Sequence, residues 1–265
     1  MAFKVDGKER RMSRSPKAKE GPPSAIYLYG ITQAAGRTLL PTAKGVDGTA
    51  AVERLSCGGF YCWISRVNRT EYSEQLQQNM ENLEWLASAS VAHHRVVGEV
   101  ARGAEILPAR FGTVFLNEES LLTDVKRRKK SLTASFKRLS GTEEWGVKVF
   151  GHAQTSAAAA KASSGKEYLQ RKSAALEARA AKKSDPELDA FAAALSRIAL
   201  DEVRGGKFSG AQRDLGFQAS YLIRRKQREK FHAILKEYAQ KWGDLHRIEY
   251  AGPWPPYSFI SSDGR

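Results

Sequence analysis

Short apolar runs with a period of two residues follow residue 24 and predict β-strands in this part of the chain. Residues 26–31 are rich in tyrosine and isoleucine and predict the first ordered strand. Two further strands are expected at about 49–56 and 60–67. The Gly58-Gly59 pair between them supplies the positive φ angles that a tight turn requires, so these two runs predict a β-hairpin.

The apolar stretch 106–115 is interrupted by a single charge, Arg110, and predicts the central strand of a sheet. Strict alternation places these side chains on one face: Leu107, Ala109, Phe111, Thr113 and Phe115. Pro108 cannot donate to a ladder, so regular pairing begins after it or this end lies at a sheet edge. Arg110 has two interpretations: an anion-binding group, or a structural residue satisfied by nearby carboxylates or carbonyls.

Apolar residues return at helical spacing on both sides of this stretch. Residues 71–103 predict one helix or two, with a break expected at 88–90. Asn117 is the expected N-cap of a helix that runs to about residue 139, and residues 143–150 predict another strand. His93 and His94 are adjacent in the first helical region and point about 100° apart, so we expect one buried and one exposed histidine rather than a chelating pair.

Composition changes after Gly151. Residues 153–181 are rich in alanine, lysine and arginine and predict a long polar helix. A second helix is expected to begin at Pro186, followed by a strand at about 207–223, a helix over 227–242 and a last strand over 245–250. The tail 252–259 contains three prolines and three aromatic residues, and it either docks on its own domain or binds another chain.

The order of these elements predicts an α+β fold. We divide the chain into a disordered basic tail (1–24), an N-terminal α+β domain (25–151) and a C-terminal helix-rich α+β domain (152–265). The hydrophobic fraction of 42% is ordinary for a globular protein, but the net charge of +14 is not. Such an excess favours an acidic partner, whether nucleic acid, an anionic membrane or an acidic protein.

Motifs that carry catalysis are absent from the sequence. It contains no glycine-rich phosphate loop, no HExxH and no GxSxG elbow. Cys57 and Cys62 match neither a zinc knuckle nor a redox CxxC pair, so we interpret them as reduced packing residues, with a disulfide across the hairpin as the alternative. Catalytic groups can converge from positions far apart in sequence, so the missing motifs only lower the enzyme hypothesis. We expect no catalytic residue, no cofactor and no metal. No run approaches the roughly 18 apolar residues of a spanning helix, so no membrane span is expected.

A basic nucleic-acid-binding α+β protein is the generic alternative. Residues 110–115 are partly similar to the RNP1 strand of an RRM domain, which combines a basic residue with glycines and aromatic residues. The order differs, however, because Phe111 follows Arg110 directly and Thr113 stands where a further aromatic residue is required. Charge alone supports only salt-sensitive, nonspecific binding.

Five segments, in order, resemble the gas vesicle proteins of the F/L type. Residues 26–31 resemble the family's first strand, residues 94–115 its central signature and residues 252–259 its terminal one, with 144–149 and 165–169 between them. The resemblance extends from about residue 25 to residue 260.

This resemblance implies a cytoplasmic, non-enzymatic accessory or minor structural protein associated with gas vesicles. It implies two α+β lobes, the first with a ferredoxin-like sheet covered by helices and the second ending in the Pro-aromatic tail. The implied partners are the hydrophobic coat protein and other gas vesicle accessory proteins, with a role in vesicle nucleation, assembly or growth. The motif positions expected to be structural or partner-binding are Pro108, Arg110, Phe111, Gly112, Phe115, Pro253, Trp254, Pro255, Pro256, Tyr257 and Phe259.

Overall fold

The computed structural model describes residues 24–33, 44–151, 185–205 and 215–260. In these ranges the chain forms two antiparallel sheets, and each sheet is the base of one lobe. The predicted α+β class with two lobes is confirmed. The basic tail before residue 24, the polar helix at 153–181 and the family segment at 165–169 lie outside the described residues. The domain division at residue 151 stays a prediction, although the strand Thr142–Gly151, which it assigns to the first domain, pairs within the second sheet.

The sheet of the first lobe has β1 at its centre. Its order is β2-β3-β1-β4, and β5 also pairs with β1. The strands are β1 (Ser24–Thr32), β2 (Glu53–Cys57), β3 (Phe60–Asn68), β4 (Ile106–Pro108) and β5 (Val114–Phe115). All but the first residue of β1 are buried. Gly58 and Gly59 have φ values of 61° and 95°, which confirms the predicted hairpin between β2 and β3.

The prediction that residues 106–115 form the central strand is wrong. They form β4 and β5, two short strands that both pair with β1 at the edge of the sheet, and a turn separates them. Gly112 has a φ of 76°, and the Thr113 N–H donates to the Arg110 carbonyl at 3.1 Å. This is the geometry of a type II turn, whose third position requires a positive φ. The alternation therefore ends at Gly112, and the edge position foreseen from Pro108 is correct.

Helices cover both faces of this sheet. They are α1 (Leu76–Glu81), α2 (Leu83–Gly103), α3 (Glu118–Arg127) and α4 (Lys129–Leu139), and a π-helical turn spans Thr70–Glu74. The first helical region breaks at Asn82 rather than at 88–90, because the Asn82 side chain accepts the N–H groups of Glu84 and Trp85 and starts α2. The helix predicted to run unbroken to 139 divides at Arg128, while Asn117 caps α3 as predicted.

Two cores result from this arrangement. The α2-side core contains Tyr27, Tyr29 and Trp63 from the sheet with Val96 and Val100 from the helix. The core on the opposite face, the α3/α4-side core, is formed mainly by these residues: Ile26, Leu28, Cys57, Cys62, Ile64, Leu121, Val125, Leu132 and Phe136. Both cysteines are buried and free, which confirms the packing interpretation, and burial raises the pKa of the Cys62 thiol.

The second lobe carries helices on one face of its sheet. The strands, in the order β7-β8-β6-β9, are β6 (Thr142–Gly151), β7 (Asp201–Arg204), β8 (Leu215–Arg224) and β9 (His246–Trp254). The helices α5 (Pro186–Ser196) and α6 (Arg228–Trp242) pack on the core of this lobe. Strand β7 was not predicted, and β9 continues past Tyr250 to Trp254, so the first residues of the Pro-aromatic tail belong to the sheet.

The two lobes share a core. Leu222 from β8 and Phe259 from the tail are 1% and 4% exposed and lie in the α3/α4-side core of the first lobe. These side chains bury apolar surface that neither lobe covers alone. The junction between the lobes is therefore packed, and the tail is part of it.

Candidate functional site at the lobe junction

The tail 252–259, here called the strap, leaves β9 and crosses to the first lobe. The Tyr257 hydroxyl is 3.2 Å from Nδ1 of His94 on α2. The backbone N–H and hydroxyl of Ser258 donate to the two carboxylate oxygens of Glu144 on β6, at 2.9 and 2.6 Å. Arg138 of α4 donates to the Phe259 carbonyl. The strap thus docks within its own chain, where it contacts both lobes and not only the domain from which it emerges.

Residues 108–115 meet the strap through a cluster of aromatic rings around His93. The Tyr27 hydroxyl is 2.9 Å from His93 Nδ1 and accepts the Gly112 N–H at 3.2 Å. The ring centroids of Phe111 and Tyr257 lie 5.9 and 6.3 Å from that of His93. Two segments far apart in sequence therefore converge on one buried histidine.

His93 is neutral at neutral pH because it is fully buried. Burial, together with the neighbouring His94, lowers the pKa of His93 to about 4. The expectation of one buried and one exposed histidine is correct, since His94 is exposed. The residues next to His93 in sequence do not indicate its role in the cluster, because its partners come from β1, from the type II turn at 110–113 and from the strap.

A groove of about 400 Å³ lies between the lobes beside this cluster. Its walls come from the second half of α2, the start of β4, the end of α4, the start of β6, residues 225–228 and the strap. Apolar side chains line much of it, among them Ala101, Leu107, Phe136, Leu139, Trp254 and Tyr257. Trp254 is 46% exposed, and its ring centroid is 6.4 Å from that of His94. A large apolar ring is therefore partly exposed to solvent at the groove.

Three arginines and two glutamates also line the groove: Arg102, Arg225, Arg228, Glu105 and Glu143. Glu143 is buried and accepts from Nε and Nη2 of Arg228 at 2.9 and 2.5 Å and from Nε1 of Trp145 at 2.8 Å. Burial alone would raise the pKa of Glu143, but these hydrogen bonds outweigh it and hold the pKa below its ordinary value. Glu105 accepts the Gly141 N–H at 2.9 Å and lies 3.7 Å from Arg225.

The predicted motif positions divide between the groove and its support. The groove is lined by these residues of the strap: Pro253, Trp254, Pro255, Pro256 and Tyr257. Phe259 lies in the shared core, Pro108 is buried in β4, and Phe115 packs against the α3/α4-side core. The Arg110 side chain is exposed on the type II turn and is not part of the groove lining, while its carbonyl accepts the Thr113 hydroxyl at 2.7 Å.

The surface expected of an RRM-like protein is not present in the described ranges. Phe111 and Phe115 pack against the two cores of the first lobe, and helices cover both faces of the sheet, so the sheet presents no open aromatic platform there. Within the same ranges, no group of three or more histidine, cysteine, aspartate or glutamate side chains is placed to hold a metal ion. None of the described helices combines the length and the apolar character that crossing a bilayer requires.

Comparisons with known proteins match nearly the whole chain. The family model described as gas vesicle synthesis protein GvpL/GvpF matches residues 25–261. Gas vesicle protein L of Streptomyces sp. (strain CB03234) is 30% identical over 250 residues, which cover 88% of this chain and 91% of that protein. Gas vesicle protein F of Haloferax mediterranei is 23% identical over 237 residues, which cover 89% and 92% of the two chains.

Two solved structures have the same fold. The crystal structure of GvpF from Anabaena sp. PCC7120 gives a TM-score of 0.68 at 21% identity and covers 90% of this chain and 96% of that one. GvpF from Microcystis aeruginosa gives a TM-score of 0.64 at 23% identity and covers 89% and 99%.

Proposed function

Because the chain belongs to the gas vesicle synthesis protein GvpL/GvpF family, we propose that it is a non-enzymatic accessory protein that binds the vesicle coat protein and other accessory proteins. In this proposal it acts in the cytoplasm, associated with gas vesicles, and supports their nucleation, assembly or growth. A coat subunit that presents an apolar gas-facing surface needs a partner that holds it in solution until it joins the shell.

The observation that carries this proposal is the convergence of residues 108–115 and 252–259 at the lobe junction. Their aromatic side chains pack around His93 beside a groove that the strap itself lines and where Trp254 stays half exposed. Tryptophan next to an apolar pocket is typical of the centre of protein–protein interfaces. The arrangement supports a binding role, with the lobe junction as the surface that meets the partner.

Co-expression with the coat protein tests this function. A tagged copy of the full chain should co-purify with the coat protein, and cells that lack the gene should form few or no vesicles until it is restored. Absence of the coat protein from the purified fraction, together with normal vesicles in cells without the gene, would contradict the proposal.

Nucleic-acid binding is the second candidate, and only the net charge of +14 favours it. A gel-shift assay with RNA and duplex DNA at physiological ionic strength separates the two. We expect no retained complex at that salt concentration, and a stable complex there would favour this candidate.

A further inference from the structure

We propose that the groove between the lobes binds a short partner segment in which large apolar side chains are flanked by carboxylates. The inference rests on the proposed function, because the partner is taken to be another gas vesicle protein. It goes further by naming the chemistry of the bound segment and the residues that select it. Three features of the junction carry it: the exposed apolar lining, the surplus of positive charge, and an apolar ridge that leads into the groove.

The lining provides a preformed apolar pocket. A volume of about 400 Å³ is within the range of roughly 300–1,000 Å³ in which proteins bind compact ligands. Trp254 is the last residue of β9, and prolines on both sides restrict its backbone. The backbone that carries the indole is therefore restricted before a partner arrives, which lowers the entropy cost of binding. A leucine- or tryptophan-sized side chain in the groove would cover it.

The charges at the groove favour carboxylates. Glu143 is held by Arg228, and Glu105 is held by the Gly141 N–H and by Arg225, so the partners of both groove glutamates lie within this chain. Arg102 forms no ion pair with a carboxylate of the described ranges. The exposed side chains of Arg224 and Lys226 flank Arg225 and add further positive charge. An acidic segment would gain charge-assisted contacts here, whereas a basic one would be repelled.

An apolar ridge on α2 extends the site beyond the groove. Leu83 and Val91 are 80% and 67% exposed. At helical spacing they share the outer face of α2 with these residues: Ala87, His94 and Gly98. The last two reach the groove lining. Arg95 and Arg102 are seven positions apart and flank this ridge on one side towards the groove, where they outnumber the single carboxylate between them, Glu99; Glu84 lies at the far end. An amphipathic segment with acidic residues beside its apolar face fits both the apolar ridge and the arginines that flank it.

Peptide binding to the purified full chain tests the inference. The probe is a fluorescein-labelled synthetic peptide in which a Leu-Trp pair is flanked on both sides by glutamates, and the matched peptide carries lysines in place of the glutamates. Fluorescence anisotropy should show binding of the acidic peptide that weakens as salt is added, and no binding of the lysine peptide. Equal binding of both peptides would overturn the charge selection.

Variants locate the site. Trp254→Ala should raise the Kd of the acidic peptide about tenfold or more, because a central interface tryptophan is lost. Arg102→Glu should raise it about fivefold through reversal of one exposed charge. The matched controls are Leu245→Ala, which removes another exposed apolar residue, and Lys130→Glu, which makes the same charge change on α4 away from the groove. Both should bind as the wild type does. Equal losses in the controls would show that the groove is not the site.

Other occupants give different results. Displacement of the peptide by single-stranded RNA would favour nucleic acid, and a dimer of the free chain that Trp254→Ala abolishes would assign the groove to a second copy.

Co-purification separates this inference from the proposed function. If the Trp254→Ala, Arg102→Glu double variant retains the coat and accessory proteins, the groove inference fails and the function stands. If these proteins never co-purify with the wild type, the function itself fails. Circular dichroism confirms that each variant is folded.

Discussion

At the level of single residues, Gly112 determines the path of the 108–115 segment. Its φ of 76° allows the type II turn that places its N–H on the Tyr27 hydroxyl and Phe111 beside His93. A Cβ at Gly112 would meet only Leu76, at 3.4 Å, so space is available and the backbone angle is the constraint. Side chains with a Cβ disfavour this left-handed region.

We therefore expect Gly112→Ala to lower the free energy of unfolding by about 1–2 kcal/mol, as measured by urea denaturation. Gly98→Ala is the matched control, because Gly98 lies inside α2 and nothing lies within 4 Å of the added Cβ. Alanine in a helix interior should instead stabilise by up to about 1 kcal/mol. Equal effects of the two substitutions would show that the turn does not require a glycine.

His93 predicts a pH dependence of stability. The groups that face it are Tyr27, Tyr29, Phe111, Tyr257 and His94, so among these neighbours only His94 can add a positive charge. The pKa of His93 is about 4 in the folded chain and 6.5 in its ordinary range. The unfolded chain therefore binds the proton more readily than the folded chain. The free energy of unfolding is unaffected by His93 above pH 6.5 and decreases as the pH falls from 6.5 towards 4.

We expect this loss to reach about 3 kcal/mol over that interval. Urea denaturation at a series of pH values measures it. His93→Gln should be less stable at neutral pH but should show a smaller decline below pH 6.5. His94→Gln is the adjacent control and should retain most of the decline. An unchanged pH profile in the His93 variant would assign the effect to other groups.

At the level of elements, the sequence predicted those turns and helix ends that are formed by residues adjacent in the chain. The Gly58-Gly59 hairpin and the Asn117 cap were both readable because the residues involved are neighbours in sequence. The pairing of residues 106–115 with β1 was not predictable in this way, because their apolar pattern carries no information on which strand they pair with. The serines at 88 and 90 do not break α2, since Ala89 and Ala92 continue its buried face.

The break at Asn82 gives a prediction for α2. The Asn82 side chain accepts the N–H groups of Glu84 and Trp85 at 3.0 and 3.1 Å. Asn82→Ala removes this cap and should lower the free energy of unfolding by about 1 kcal/mol. Gln78→Ala, at an exposed position of α1, is the control and should stay within about 0.5 kcal/mol of the wild type. Thermal denaturation followed by circular dichroism compares them, and equal stabilities would show that the cap does not hold α2.

At the scale of the whole molecule, the groove was beyond prediction from the sequence. Its walls come from residues 94–107, 136–143, 225–228 and 253–257. The resemblance named both motif segments, yet nothing in either one indicates that they meet around His93. Their meeting depends on the pairing of β9 with β6 and on the shared core, and both are long-range contacts without a local pattern.

The strap predicts how the lobes are coupled. Phe259 is 4% exposed in the core that both lobes share, so Phe259→Ala leaves a cavity and should lower the free energy of unfolding by about 3 kcal/mol. Because this contact joins the lobes, calorimetry should show one transition for the wild type and two for the variant. Tyr250→Ala, at a 52% exposed position of β9, is the control and should keep one transition. A destabilised Phe259 variant that still unfolds in one transition would mean that other contacts couple the lobes, and Leu222 would be the next side chain to remove.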